Sequence, residues 1–196
     1  MRADLTGIDL NNLWLKNVNL RKASLSYVNL FGAHLDNVDL RDAYMFNTNL
    51  EFAVLRGADL SGAYASQCNL RKAIVTDARL IEIDLSMSNL QDAYLNRSDL
   101  RKADFWKANL LGADLCNADL REAKLDFSNL PLWCGSLETN FDSKQLKQIA
   151  YHLVRAGLCS KNATDEDKAE LRKLIDYANQ FHRAEECGII EIEEDK

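Results

Sequence analysis

The sequence predicts an all-β solenoid: a quadrilateral parallel β-helix of about six and a half coils over residues 1–131, followed by a small α-helical cap over 132–196. Three observations predict it. Leucine returns every fifth residue from Leu5 to Leu130, a small or aliphatic residue stands two places earlier, and certain outward residues recur every twenty.

The leucine register is almost unbroken. Of 26 positions, 22 are Leu, and the exceptions Met45, Ala65, Val75 and Phe105 are all apolar. Two residues earlier stand Ala23, Ala33, Ala43, Ala53 and Ala58, with Asp or Asn often between, as in Ala58-Asp59-Leu60. A period of five matches neither a helical face nor an uninterrupted strand, whose side chains alternate with period two. If the Ala and Leu sites both point inward they obey strand alternation. The next inward site is three residues further on, so the two residues between must turn a corner.

The number of corners per circuit comes from the outward positions. Asn29, Asn49, Asn69, Asn89, Asn109 and Asn129 precede the leucine at intervals of twenty, and Arg21, Arg41, Arg101 and Arg121 share that interval. Amides stacked at an inter-strand spacing of about 4.8 Å can bond into a ladder, which makes a coil of four pentapeptides the natural reading. Leu30, Leu50, Leu70, Leu90 and Leu110 then form one column of the structural core, with no ligand cavity expected inside. Ala65 and Val75 share a coil and would leave a void, which Met45 below and Ile83 above are expected to fill.

Tandem units such as Ala58-Asp59-Leu60-Ser61-Gly62, Ala108-Asn109-Leu110-Leu111-Gly112 and Ala113-Asp114-Leu115-Cys116-Asn117 resemble the pentapeptide-repeat family. That resemblance implies a right-handed β-helix, the hand that parallel crossovers also favour.

The register stops at Leu130-Pro131, where proline removes a backbone donor. Asp142 or Ser143 is expected to start a helix with the apolar face Leu146, Ile149, Ala150 and Leu153, ending at Gly157. Thr164, with Asp167 three residues on, starts a second through Leu171, Ile175, Ala178 and Phe181, and Gly188 to Ile192 reads as a short strand. The wording Leu132-Trp133-Cys134-Gly135, with the stretch from Ala178 to Gly188, is similar to helical tails in a subset of bacterial members of unassigned function.

Charge narrows the function classes. Residues 1–131 hold 15 basic and 17 acidic side chains and 132–196 hold 9 and 13, so neither part has the basic excess of a phosphate-binding surface. No direct nucleic-acid binding is expected. No long apolar run or secretory pattern is present, which predicts no membrane association and a cytoplasmic location. Cys68, Cys116, Cys134, Cys159 and Cys187 are odd in number and lack zinc-ligand spacing, so they read as thiols with no metal and no cofactor. His34, His152 and His182 sit in no nucleophile or metal motif, and Glu185 and Glu186 beside His182 read as a charged helix end. The chain reads as a non-enzyme.

Two roles remain. The first is a binding or scaffold protein with an unknown protein partner. Its candidate interface is Tyr27, Phe31, Tyr44, Phe46, Phe52 and Tyr64, near one corner of the second to fourth coils, with a second column of Trp14, Val54, Ile74 and Tyr94 interrupted by His34. The alternative, implied by the resemblance, is a DNA mimic that modulates a type II topoisomerase such as gyrase. A mimic needs an acidic stripe, yet the outward residues sum to about −2, −1, 0 and 0 on the four sides, and the unbroken register lacks the loops common in such members. The repeat begins within three residues of Met1, and Ile8, Leu13 and Val18 make the first coil bulky, which predicts a homodimer through this end.

Overall fold

The computed structural model describes residues 3–126, 128, 129, 142, 164 and 169. The chain divides into two compact units, Met1–Phe141 and Asp142–Lys196. Of the helices and short strand expected in 132–196, only Asp142, Thr164 and Ala169 are described, Ala169 being helical, and the remainder lies outside the described residues.

The described residues of the first unit form a β-helix solenoid in which every bridge among them is parallel and joins residues twenty apart. Side one is the column Asp4, Ser24, Tyr44, Tyr64, Asp84, Asp104, Lys124; side two runs from Asp9 through Asn29 to Asn129. Side three runs from Trp14 through His34, Val54, Ile74 and Tyr94 to Asp114, and side four from Asn19 to Asp119. The two-residue corners are named for the side they follow.

One bonding pattern repeats at each pentapeptide. Leu50 N–H donates to the Asn69 carbonyl of the next coil at 2.7 Å, and Asn69 N–H donates back to Thr48 at 3.0 Å. The corner closes when Ala53 N–H donates to the Leu50 carbonyl at 3.0 Å. Such a turn puts its third residue in the left-handed region, and the second corner residue indeed has φ between 52° and 73° throughout. Asn, Asp and Gly take this conformation at least cost, but Lys22, Tyr27, Phe52 and Met87 hold it too, because ladder bonds on both flanks fix the backbone. Gly32 has a second reason to be glycine, since a Cβ there would come within 2.5 Å of Asn12 Oδ1.

The Asp or Asn before each leucine holds the corner open. Asp59 Oδ1 accepts the Ser61 N–H at 3.1 Å and Asn69 Oδ1 accepts the Arg71 N–H at 3.2 Å, satisfying a donor that the ladder does not use. Inside, Leu30, Leu50, Leu90 and Leu110 are fully buried and Leu70 nearly so. Met45, Ala65, Val75, Ile83 and Phe105 are buried with them.

The two corners that follow Ala65 and Val75 close differently from the rest. Ser88 Oγ donates to the Ala65 carbonyl at 2.9 Å while accepting the Cys68 N–H at 3.0 Å. Ser98 Oγ likewise donates to Val75 at 2.6 Å and accepts the Ala78 N–H at 3.3 Å. Two hydroxyls from the coil above thus relay corner bonds that other corners make directly, which keeps these buried polar groups paired.

Candidate interaction surfaces

Each side presents a different chemistry on the same backbone. On side two the asparagines form a ladder in which Asn49 Nδ2 donates to Asn29 Oδ1 at 3.0 Å and Asn69 to Asn49 at 3.3 Å. Asn89 donates to Asn69 at 3.5 Å and Asn109 to Asn89 at 3.3 Å, while Asn29 roots the ladder on Asp9 at 2.9 Å. Asn129 bridges Asn109 at its top through the backbone. Each amide from Asn29 to Asn109 also caps its own corner, as Asn29 does for the Phe31 N–H at 3.2 Å, so the amide oxygens from Asn29 to Asn89 each accept two bonds within the protein.

The six aromatic side chains singled out from the sequence do not gather at one corner. They form three pairs on three columns, each joining adjacent coils across nineteen, twenty or twenty-one residues, because neighbouring corners stand a full side apart. Tyr44 and Tyr64 stack on side one with centroids 5.0 Å apart. Tyr27 and Phe46 meet edge to face at the first corner, 5.4 Å apart, and Phe31 and Phe52 do the same at the second, 5.5 Å apart. The two corner pairs therefore flank the amide ladder. Tyr27 is 57% exposed and Tyr64 52%, and Lys72 Nζ lies over the Phe52 ring at 5.7 Å.

Side three carries the apolar column. Trp14 stacks on His34 with ring centroids 3.9 Å apart and planes 13° from parallel, which occupies the imidazole as a packing surface. Val54 and Ile74 continue the column as half-buried residues, and Tyr94 stands exposed above them.

Side four is charged and internally balanced. Arg41 binds Asp39 through Nε at 2.9 Å and Nη2 at 2.6 Å; Arg101 binds Asp99 at 2.8 and 2.7 Å. Arg121 grips Asp119 in the same two-pronged way, with Nη2 at 2.6 Å. Arg21 departs from this pattern and reaches Asp42 at 3.2 Å. The hydrogen bonds from Arg41, Arg101 and Arg121 hold the carboxyls of Asp39, Asp99 and Asp119 below their ordinary range, so these acids stay ionised and their field is cancelled locally.

Several residues escaped the sequence reading. Thr48, Ser88 and Ser98 are buried hydroxyls at inward positions, and their signal was a polar residue where the repeat calls for a small apolar one. Exposed Met87 and Trp106 continue the first-corner column above Phe46, with Lys107 Nζ 4.2 Å from the Trp106 ring centroid. Cys68 donates its thiol to the Met45 carbonyl at 2.8 Å, and burial pushes its pKa up to about 12, so it is inert. Among the described residues no group of three or more His, Cys, Asp or Glu could hold a metal ion, and no helix is long and apolar enough to cross a membrane.

A family model described as Pentapeptide repeats, in 8 copies, matches residues 3–42, 23–62, 48–86, 78–110 and 98–131. The chain belongs to the pentapeptide-repeat family. That membership accounts for the β-helix, whose family form is right-handed. No curated protein matches significantly. Among solved pentapeptide-repeat structures, HetL of Nostoc sp. Strain PCC 7120, involved in heterocyst differentiation regulation, is 28% identical over 70% of each chain with a TM-score of 0.41. Rfr23 of Cyanothece 51142 is 24% identical over 71% of this chain and 87% of its own, with a TM-score of 0.31. QnrB1, a plasmid-mediated fluoroquinolone resistance protein, is 17% identical over 76% of this chain and 91% of its own, with a TM-score of 0.29.

Proposed function

We propose that this pentapeptide-repeat protein is a non-enzymatic cytoplasmic scaffold that binds a protein partner through the aromatic corners flanking its amide ladder. One observation carries the reading: exposed aromatic rings stand at corner sites where the fold has no need of them. Asn47 and Gln67 hold the same left-handed corner position in the coils above Tyr27, so the backbone accepts polar residues there. Rings left half in water at such sites supply the kind of anchor that protein interfaces use.

The DNA-mimic alternative is weaker on electrostatic grounds. Asp39, Asp99 and Asp119 each carry a two-pronged arginine partner, so side four lacks the uncompensated acidic stripe that a duplex imitation requires.

The test is affinity capture from the native host with the wild-type chain and a Tyr27→Glu/Phe52→Glu variant. Glu82 and Glu122 already occupy the equivalent corner conformation, so the variant is expected to melt within a few degrees of wild type. Partners held by wild type should be lost by the variant. Identical captures from both would defeat the reading. Potent inhibition of purified gyrase supercoiling by the wild-type chain would favour the alternative instead.

A further inference from the structure

The residue before each leucine decides whether the corner after it is capped. On side two, Asp9 and the asparagines from Asn29 to Asn109 each accept the N–H two residues on, at 3.1 or 3.2 Å. Side three does not do this, because its column from Trp14 through His34, Val54 and Ile74 to Tyr94 offers no carboxylate or amide side chain. The N–H groups of Lys16, Asp36, Arg56, Thr76 and Asn96 therefore line the third corner, about 4.8 Å from coil to coil, with no acceptor among the described residues. At the top of the column Asp114 restores the cap, accepting the Cys116 N–H at 3.0 Å.

Two arginines border the middle of this corner. Arg56 sits in it, and Arg79 lies three residues past Thr76, in the side-four column that elsewhere carries Asp39, Asp59, Asp99 and Asp119. Both are exposed, and neither guanidinium has a hydrogen bond, ion pair or ring contact among the described residues. The acids nearest Arg79 are held elsewhere. Asp59 Oδ1 accepts the N–H and the hydroxyl of Ser61 at 3.1 and 2.7 Å, Asp77 takes Arg97 on both oxygens at 2.7 Å, and Asp99 binds Arg101. Asp36, one coil below Arg56, makes no ion pair among the described residues and sets the lower limit of the basic stretch. The first corner also leaves the Ser26, Phe46 and Ser66 N–H groups uncapped, but its one cation, Lys107, lies over the Trp106 ring.

We propose that the third corner, from Arg56 to Arg79, is a docking site for an acidic segment of a partner protein, whose carboxylate supplies the cap that side three omits. The free N–H groups of Arg56 and Thr76 and the Thr76 hydroxyl donate to it, and the two guanidiniums add charge-assisted bonds. Val54 and Ile74, half-buried on side three beside these donors, take a neighbouring aliphatic side chain of the same segment. Charge complementarity chooses the occupant. The carbonyls of Arg56, Thr76 and Arg79 already accept from Asn37, Gly57 and Leu60, so what stays open here is donors and positive charge. An acid satisfies both, whereas a basic segment satisfies neither. This surface is separate from the aromatic corners and stands whether or not they bind anything.

Titration of the full isotope-labelled chain with an end-blocked Val-Glu-Leu-Glu-Val peptide tests it, read by amide shifts and by the anisotropy of a fluorescent copy up to the millimolar range. The Arg56 and Thr76 amides should shift on binding, while the Ser61 amide, capped by Asp59, stays in place. Arg56→Gln/Arg79→Gln should weaken binding by at least about tenfold while leaving the melting curve in place, since both side chains are exposed and unpaired. Ile74→Asp supplies an internal cap, as Asp114 does in the same column, so it should fold and yet lose the peptide. Val-Gln-Leu-Gln-Val should not bind. No binding of the glutamate peptide, equal binding of the glutamine peptide, shifts confined to other surfaces, undiminished binding by the double variant, or binding only when phosphoserine replaces glutamate would each overturn the proposal.

Discussion

Sides two and four share a backbone and a core but are joined on the outside by opposite means. On side two each amide bonds to the coil below it, as Asn49 does to Asn29 and Asn69 to Asn49, so the ladder ties coil to coil. On side four the shortest bonds stay within a coil, Arg41 to Asp39 and Arg101 to Asp99, while the links to the next coil are longer, 3.2 Å from Arg21 to Asp42, 3.9 Å to Asp59 and 3.8 Å to Asp119. Both sets recur every twenty residues. A shared interval therefore does not mean a shared role: one column fastens coils, and the other neutralises itself.

The largest expected effect asks whether the two sides rest on the same foundation. Leu50→Ala under side two and Leu60→Ala under side four should each destabilise by about 2–5 kcal/mol in urea unfolding, since both side chains are fully or almost fully buried. A marked inequality would mean that the outer columns, not the interior, dominate. Next in size, Asn69→Ala should cost about 1–3 kcal/mol, because it strips the cap from the Arg71 N–H and breaks the amide run on both flanks. Arg101→Gln removes only the exposed pair and leaves Asp99 capping its corner, so it should cost clearly less than Asn69→Ala in the same assay. Equal losses at Asn69 and Arg101 would erase the contrast between a fastening column and a self-neutralising one.

The smallest effect is in pH. Asp39, Asp99 and Asp119 have native pKa values lowered by arginine hydrogen bonds, so their contribution is present above the unfolded carboxylate value of about 3.9 and is lost as pH falls through the lower native values. Melting temperature should therefore drop slightly below about pH 4. An Arg41→Gln/Arg101→Gln/Arg121→Gln variant should show less of that drop, and an unchanged slope would mean that other carboxylates carry it.

Much of the fold was legible because five is odd. Strand alternation cannot continue through an odd period, so the leucines alone forced a corner into each pentapeptide, and Asn29 through Asn129 set the circuit at twenty. The corner pairing of Tyr27 with Phe46 was harder to read. It depends on which of two corner residues a ring occupies and how far its rotamer reaches, whereas proximity in sequence suggested one cluster. The relay through Ser88 and Ser98 was invisible for a related reason: it links a hydroxyl to a turn in the coil below, twenty-three residues earlier. The aromatic corners were visible as residues but not as surfaces, since exposure depends on what stacks above and below.

The quarter-turn advance of each pentapeptide has a consequence for how such a chain can be edited. Removing twenty residues shortens the solenoid by one storey and leaves every outer column in line. Removing five keeps the leucine interior continuous but rotates everything beyond the cut by a quarter circuit, bringing the upper asparagines over the serine and tyrosine column instead of over their own kind. Length and surface pattern are thus set by separate arithmetic, one counted in fives and the other in twenties.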